Sequence, residues 1–127
     1  MEPAERDAFL AQPHTAVLAT VDARGRAHAV PVWYLYRDGS FEIFTGRDST
    51  KVKNARRTGR ATLAVDEREG AFRHVSAEGP VTVQDRITRE ERFALHRHYR
   101  GEEAARGIVD ASDEHEQMVI LRLRPER

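Results

Sequence analysis

The spacing of apolar residues changes along this chain in a way that separates strands from helices. HTAVLATV (14–21) is rich in β-formers and nearly continuously apolar, the pattern of a buried strand. AHAVPVWYLY (27–36) predicts a second, longer strand, interrupted by Pro31. A proline there removes one ladder donor, so it implies an edge, a bulge or a bend. FEIFT (41–45) alternates and predicts a third strand. DARGR joins the first two strands, and RDGS is a hairpin signal through Asp38-Gly39. Further on, ATLAV (61–65) reads as a short buried strand, and DEREG (66–70) turns the chain. In HVSAEGPVTV (74–83), Val75, Ala77, Gly79, Val81 and Val83 share one face, opposite His74, Ser76, Glu78 and Thr82. QMVILRLR (117–124) supplies a last strand with Arg122 and Arg124 outward.

Helical patterns fill the gaps. PAERDAFLAQ (3–12) opens on proline, which favours the first helical turn. The segment after the third strand has Ser49 as its cap, Val52 and Ala55 on one face, and Gly59 at its end. TREERFALHRHYRG (88–101) and EEAARGIV (102–109) predict two more helices. The order α-β-β-β-α-β-β-α-α-β gives a mainly β fold with six strands and short helices. Hairpin-length links among the first three strands favour antiparallel pairing over a doubly wound sheet. A small closed barrel with helices at its ends, as one domain over residues 1–127, accommodates this order.

The charge balance shapes the functional reading. Lys+Arg and Asp+Glu number 21 each, so no global field draws the protein to nucleic acid or to an acidic membrane. A role for charge must be local. The absence of cysteine excludes a disulfide framework, a thiolate metal site and a cysteine nucleophile. MEPAERDAFLAQ is charged and lacks an apolar run, so it does not read as a signal peptide, and no window approaches the ~18 apolar residues of a membrane span. The expectation is a soluble, cytoplasmic protein.

Local charge is concentrated in GRDSTKVKNARRTGR (46–60), with six basic residues and one acid. Three readings are open: a solvated helix face, a nucleic-acid patch, or a socket for a phosphorylated small molecule. The last rests on the unpaired amides and positive dipole end of a helix start, joined here by the Ser49 and Thr50 hydroxyls, the Lys51 charge and Arg47 just before the cap. The nucleic-acid reading lacks a helix-turn-helix partner, a recognised RNA-binding aromatic signature and net basic charge. His96 and His98, at i and i+2 of a helix, point about 200° apart and cannot share one metal ion well. No Gly-Xaa-Ser-Xaa-Gly elbow and no glycine-rich nucleotide loop is present. Val30-Pro31-Val32-Trp33-Tyr34 has two readings: a bent strand presenting amides and an aromatic face to a flat ring, or core and dimer-contact residues.

Several motifs recur here in a known order. D-x-x-G-x-x-H-x-x-P-V-W-Y (22–34) follows the first strand; then come D-G-x-x-x-x-x-T (38–45), S-T-K-V-x-N-x-R-R (49–57) and E-G-P-V (78–81). From about residue 5 to 124, the chain resembles the pyridoxamine 5′-phosphate oxidase-like split-barrel family, and within it the short flavin/deazaflavin oxidoreductases that use coenzyme F420. The resemblance implies a six-stranded antiparallel split β-barrel (the FMN-binding split barrel) that forms a homodimer with cofactor sites at the interface. It also implies that Ser49, Thr50, Lys51 and Arg47 meet the cofactor phosphate, and that backbone around Val30, Pro31, Val32 and Trp33 lies against the tricyclic ring. Asn54 and Arg56 match the motif as supports of the helix. FMN is the alternative cofactor. The anionic tail of coenzyme F420 would be met by Lys53, Arg56, Arg57 and Arg60. The implied function is hydride transfer between reduced deazaflavin and a small, conjugated organic acceptor, with no side chain assigned as catalytic. The alternatives are an FMN-binding reductase or oxidase-like protein of the same fold, and a non-catalytic cofactor-binding protein. Pyridoxamine-phosphate oxidase activity itself is not expected, since in the true oxidases the substrate-phosphate residues lie in a C-terminal extension.

Overall fold

A computed structural model describes residues 1–67, 70 and 72–126. The elements are α1 (Pro3–Leu10), β1 (Ala16–Val21), β2 (Ala27–Val32), β3 (Tyr34–Arg37), β4 (Ser40–Gly46), α2 (Thr50–Thr58), β5 (Arg60–Asp66), β6 (His74–Gln84), α3 (Arg89–Arg100), α4 (Glu102–Ala111) and β7 (Met118–Leu123). One 3₁₀ turn, Glu114–Gln117, leads into β7. The turn expected over 66–70 includes Arg68 and Glu69, which lie outside the described residues.

Seven strands replace the six expected, because the long second strand divides. The break falls at Trp33 and not at Pro31. Pro31 stays in register opposite Val17, on a strand whose only neighbour is β1, so its missing N–H disturbs no second ladder. Every pairing is antiparallel, and the strand order is β2-β1-β5-β6-β7-β4-β3. The two edges, β2 and β3, are therefore consecutive in the chain with one residue between them. That residue brings the edges within two Cα steps, about 7 Å, so the sheet must curl round on itself. The result is the split barrel that the family resemblance implied, with its seam between β2 and β3.

Alternation along each strand decides what each face touches. Leu18, Ile43, Leu63, Val81, Leu121 and Leu123 fill the interior. Tyr34 is fully buried there, and its hydroxyl donates to the Leu10 carbonyl at 2.9 Å, docking α1 on the barrel. On the outer face, Leu35, Phe44 and Ile120 meet Leu95 of α3 and Ile87. The outer face of β1, β2 and β5 has no such cover: Val17 (44 % exposed), Val21, Ala27, Ala29, Pro31 and Ala64 stand open to solvent.

Gly79 explains how the chain end closes against β6. A Cβ there would lie 2.1 Å from the Arg124 carbonyl oxygen. The bare backbone admits residues 124–126, whose amides donate to the Pro80 and Glu78 carbonyls at 3.1 and 2.8 Å. The turn at Asp38-Gly39 has positive φ at both residues (53° and 75°), as a tight hairpin with this dipeptide requires.

Candidate functional site

The basic stretch after β4 folds as expected at its two ends. Gly59 ends α2 in the left-handed conformation (φ 70°), which glycine adopts without a Cβ clash. Ser49 occupies the cap position, but its side chain does not cap. Its hydroxyl turns back and donates to the Gly46 carbonyl at 2.9 Å. The first intrahelical bond runs from the Lys53 amide to the Ser49 carbonyl. The amides of Thr50, Lys51 and Val52 precede it and have no acceptor inside the helix.

Helical geometry then sorts the side chains. Val52, Asn54 and Ala55 are buried, and at 100° per residue Lys51 falls within the arc they define. Lys51 is accordingly half-buried, and burial pulls its ammonium below the ordinary lysine pKa. Among the described residues no carboxylate lies within 4 Å of it. A partly desolvated cation at the positive end of a helix dipole, with no counter-charge, is an unfavourable placement in isolation. An anion at that spot would compensate it, and the free first-turn amides would donate to the same oxygens. Thr50, exposed at the first position, adds a hydroxyl. This donor set fits a phosphate.

Most of the other basic residues are already engaged. Arg47 donates to the carbonyls of Asp85 (3.2 Å) and Glu116 (2.9 Å), bracing the loops on either side of a cleft of about 590 Å³. That cleft is walled by Arg47, Asp85, Arg86, Ile87, His115 and Glu116; Ser49, Thr50 and Lys51 are not among its walls. Arg56 pairs with Asp85, Arg57 donates to the Val21 carbonyl, and Arg60 bridges Glu78 and Glu126. Lys53 points away from the barrel, exposed, with no ion-pair partner among the described residues. Asn54 is buried and donates to the Thr20 hydroxyl at 3.1 Å, fastening α2 to the end of β1.

The strand expected to face a ring is held from an unexpected direction. The Val32 side chain is buried, Val30 and Trp33 are half-buried, and Pro31 lies on the open outer face. Of the two readings of this stretch, core is the one that holds for Tyr34, which is fully buried. At the seam, the Tyr34 amide donates not to a strand but to the Tyr99 hydroxyl, at 3.1 Å. That hydroxyl lies 2.6 Å from the His14 carbonyl, to which it donates, and 3.1 Å from the Tyr34 carbonyl. The Tyr99 ring stacks on Trp33 with centroids 4.2 Å apart and planes 8° from parallel. Tyr99 was not among the residues singled out from sequence. The signal for it was present: in TREERFALHRHYR, Arg92, Leu95 and Tyr99 recur at helical spacing on one face.

With this geometry in place, comparison with known proteins decides the family. The family model described as pyridoxamine 5′-phosphate oxidase matches residues 3–127, nearly the whole chain. The chain belongs to that family. Among solved structures, a conserved hypothetical protein from Mycobacterium tuberculosis, Rv2991, is similar at 25 % identity and a TM-score of 0.83, over 100 % of this chain and 82 % of that one. An F420 reductase aligns at 18 % identity and a TM-score of 0.80, over 95 % of this chain and 93 % of its own. A FAD-binding protein from Mesorhizobium loti aligns at 19 % identity and a TM-score of 0.72, over 100 % and 91 %. No match was found among curated proteins. For this pyridoxamine 5′-phosphate oxidase relative, the neighbours establish the split-barrel fold. Among the described residues, no helix is long and apolar enough to cross a membrane.

Proposed function

We propose that this protein is an oxidoreductase of the split-barrel family that binds coenzyme F420, working as a homodimer in the cytoplasm on a small conjugated acceptor. The observation that carries the reading is Lys51, a half-buried and unpaired cation on the inward arc of a helix start whose cap serine faces away. Thr50, Lys51 and the first-turn amides would hold the phosphate, with Ser49 shaping the turn through Gly46. Asn54 fixes the height of the helix against β1 by its bond to Thr20. Backbone at Val30 to Trp33 would bear on the ring system, and its position is set by Tyr99.

When bound, the reduced deazaflavin supplies a hydride, and the protein's contribution is to place that carbon against an acceptor and to keep the site dry. A proton for the reduced product can come from solvent, so no side-chain acid is assigned. The cofactor's anionic tail would fall to Lys53, with Arg56 reached only by loosening its pair with Asp85. Among the described residues, this narrows the basic surface expected for the tail from four residues to Lys53, which has no ion-pair partner, and Arg56, which is shared with Asp85. The bare outer face of β1, β2 and β5 supports the homodimer, since six small apolar side chains spread over three paired strands gain little from water. FMN remains the second reading, because its phosphate and ribityl chain would meet the same donors.

The test is a pair of fluorescence titrations of the purified protein, one with coenzyme F420 and one with FMN. Tight F420 binding with weaker FMN binding is the expected result. The reverse order would refute the F420 reading and leave the flavin one standing.

A further inference from the structure

Trp33 is the chain's one tryptophan, and it stands at the seam between β2 and β3. α3 builds a wall against it. His96, Tyr99 and Arg100 are spaced i, i+3 and i+4, which puts them on one side of the helix. Tyr99 stacks on the indole. His96 meets it edge-on, with ring centroids 6.4 Å apart. The guanidinium carbon of Arg100 lies 5.2 Å from the indole centroid. The hydroxyl bonds of Tyr99 to His14 and Tyr34 keep this group from sliding along the seam.

The charge in this wall belongs to Arg100. It is exposed, and among the described residues it has no carboxylate at ion-pair distance. Burial, and after it the nearby Arg92 and Arg100 charges, hold the His96 imidazole below the usual histidine pKa. Its Nδ1 is buried without a hydrogen-bond partner. The nearest cation along the helix, Arg97, lies over Phe93 instead. A guanidinium fixed beside an aromatic ring, with its donors open, has the planar fork that a carboxylate matches with two parallel hydrogen bonds.

We infer that Trp33 and Arg100 form the acceptor-recognition wall of the site and that it selects planar, conjugated acceptors carrying a carboxylate. The inference rests on the reading above, in which the Val30–Trp33 backbone bears on the cofactor ring, so that the acceptor must lie beside Trp33. Arg100 pairs with the carboxylate while the indole flanks the conjugated plane. Tyr99 is a positioning residue for both.

Because Trp33 has no competitor in the emission spectrum of tryptophan, its fluorescence reports on this wall directly. The experiment titrates the protein, with and without saturating coenzyme F420, with trans-cinnamate and with the uncharged, isosteric cinnamamide. Cinnamate should quench Trp33 saturably and bind at least about tenfold more tightly than the amide, the scale of one charge-assisted pair. Arg100→Gln should remove that preference, and Arg97→Gln, whose guanidinium lies over Phe93, should leave it intact. Equal binding of the two probes by the wild type, or a preference that survives Arg100→Gln, overturns the inference. The two readings fail separately. Loss of F420 binding with the cinnamate preference retained refutes the cofactor assignment alone. F420 binding with no cinnamate preference in either state refutes the acceptor wall alone.

Discussion

Tyr99→Phe isolates one oxygen atom that holds the seam of the barrel. The substitution keeps the ring, so the stack on Trp33 at 4.2 Å survives. What is lost is the acceptor for the Tyr34 amide and the donor to the His14 carbonyl. Tyr34 is fully buried, and its N–H has no strand beside it to turn to. A buried amide left unpaired costs about 1–3 kcal/mol. His14 is half-exposed, so water can reach its carbonyl and the second loss is small. The sum is about 2 kcal/mol. For 127 residues, an unfolding entropy of about 2.1 cal/mol/K per residue gives about 0.27 kcal/mol/K, so the midpoint should fall by about 7 °C. Burial pushes the Tyr99 hydroxyl up to about 12, so the wild-type bonds persist through the neutral range. Thermal unfolding followed by circular dichroism measures the shift. A midpoint within a degree or two of wild type would show that the hydroxyl is not what pins the seam.

Three further outcomes follow from named contacts. Gly79→Ala should destabilise the fold by about 1–3 kcal/mol, because its Cβ would meet the Arg124 carbonyl, a backbone atom with no rotamer to yield, and chemical denaturation would register the loss. Affinity for a phosphate-bearing cofactor should hold across neutral pH and fall in the alkaline range, as read by titrations at a series of pH values. The sign is fixed by Lys51: burial lowers its pKa in the free protein, a bound phosphate raises it, so binding is full below the free value and weakens as pH climbs above it, with an onset below 10.5. Val17→Glu, which sets a charge in the bare outer face of β1, should convert a dimer to a monomer in gel filtration; an unchanged mass would remove that face as the interface.

The sequence revealed features whose causes are local. The hairpin at Asp38-Gly39, the alternation of residues 74–83, and the limits of α2 at Ser49 and Gly59 follow from neighbours a few residues away, and each appears where expected. The family's ordered motifs likewise led to the split-barrel fold and to α2. What was hidden depends on partners far along the chain. Next to the break at Trp33, the Tyr34 amide is held by a hydroxyl 65 residues further along the chain. Arg47 braces carbonyls 38 and 69 residues away, partners that its local sequence does not reveal. Arg56 and Arg57 of α2 and Arg60 of β5 looked free in the sequence because Asp85, Val21, Glu78 and Glu126 are brought to them only by the curl of the sheet. Ser49 shows the same limit on a smaller scale. Its position predicts a side chain that accepts from the first-turn amides, while the tight turn from Gly46 has its hydroxyl donate to the Gly46 carbonyl instead.

The account's central claim is that the start of α2, through Lys51, receives a cofactor phosphate. Its most direct test compares each cofactor with its phosphate-free form: FMN against riboflavin, and coenzyme F420 against its ribityl chromophore lacking phosphate and tail, in the wild type and in Lys51→Met. The account predicts that the phosphorylated form binds at least about tenfold more tightly to the wild type and that most of this advantage disappears in Lys51→Met. Equal affinity of the two forms for the wild type, or an advantage untouched by the substitution, would contradict it.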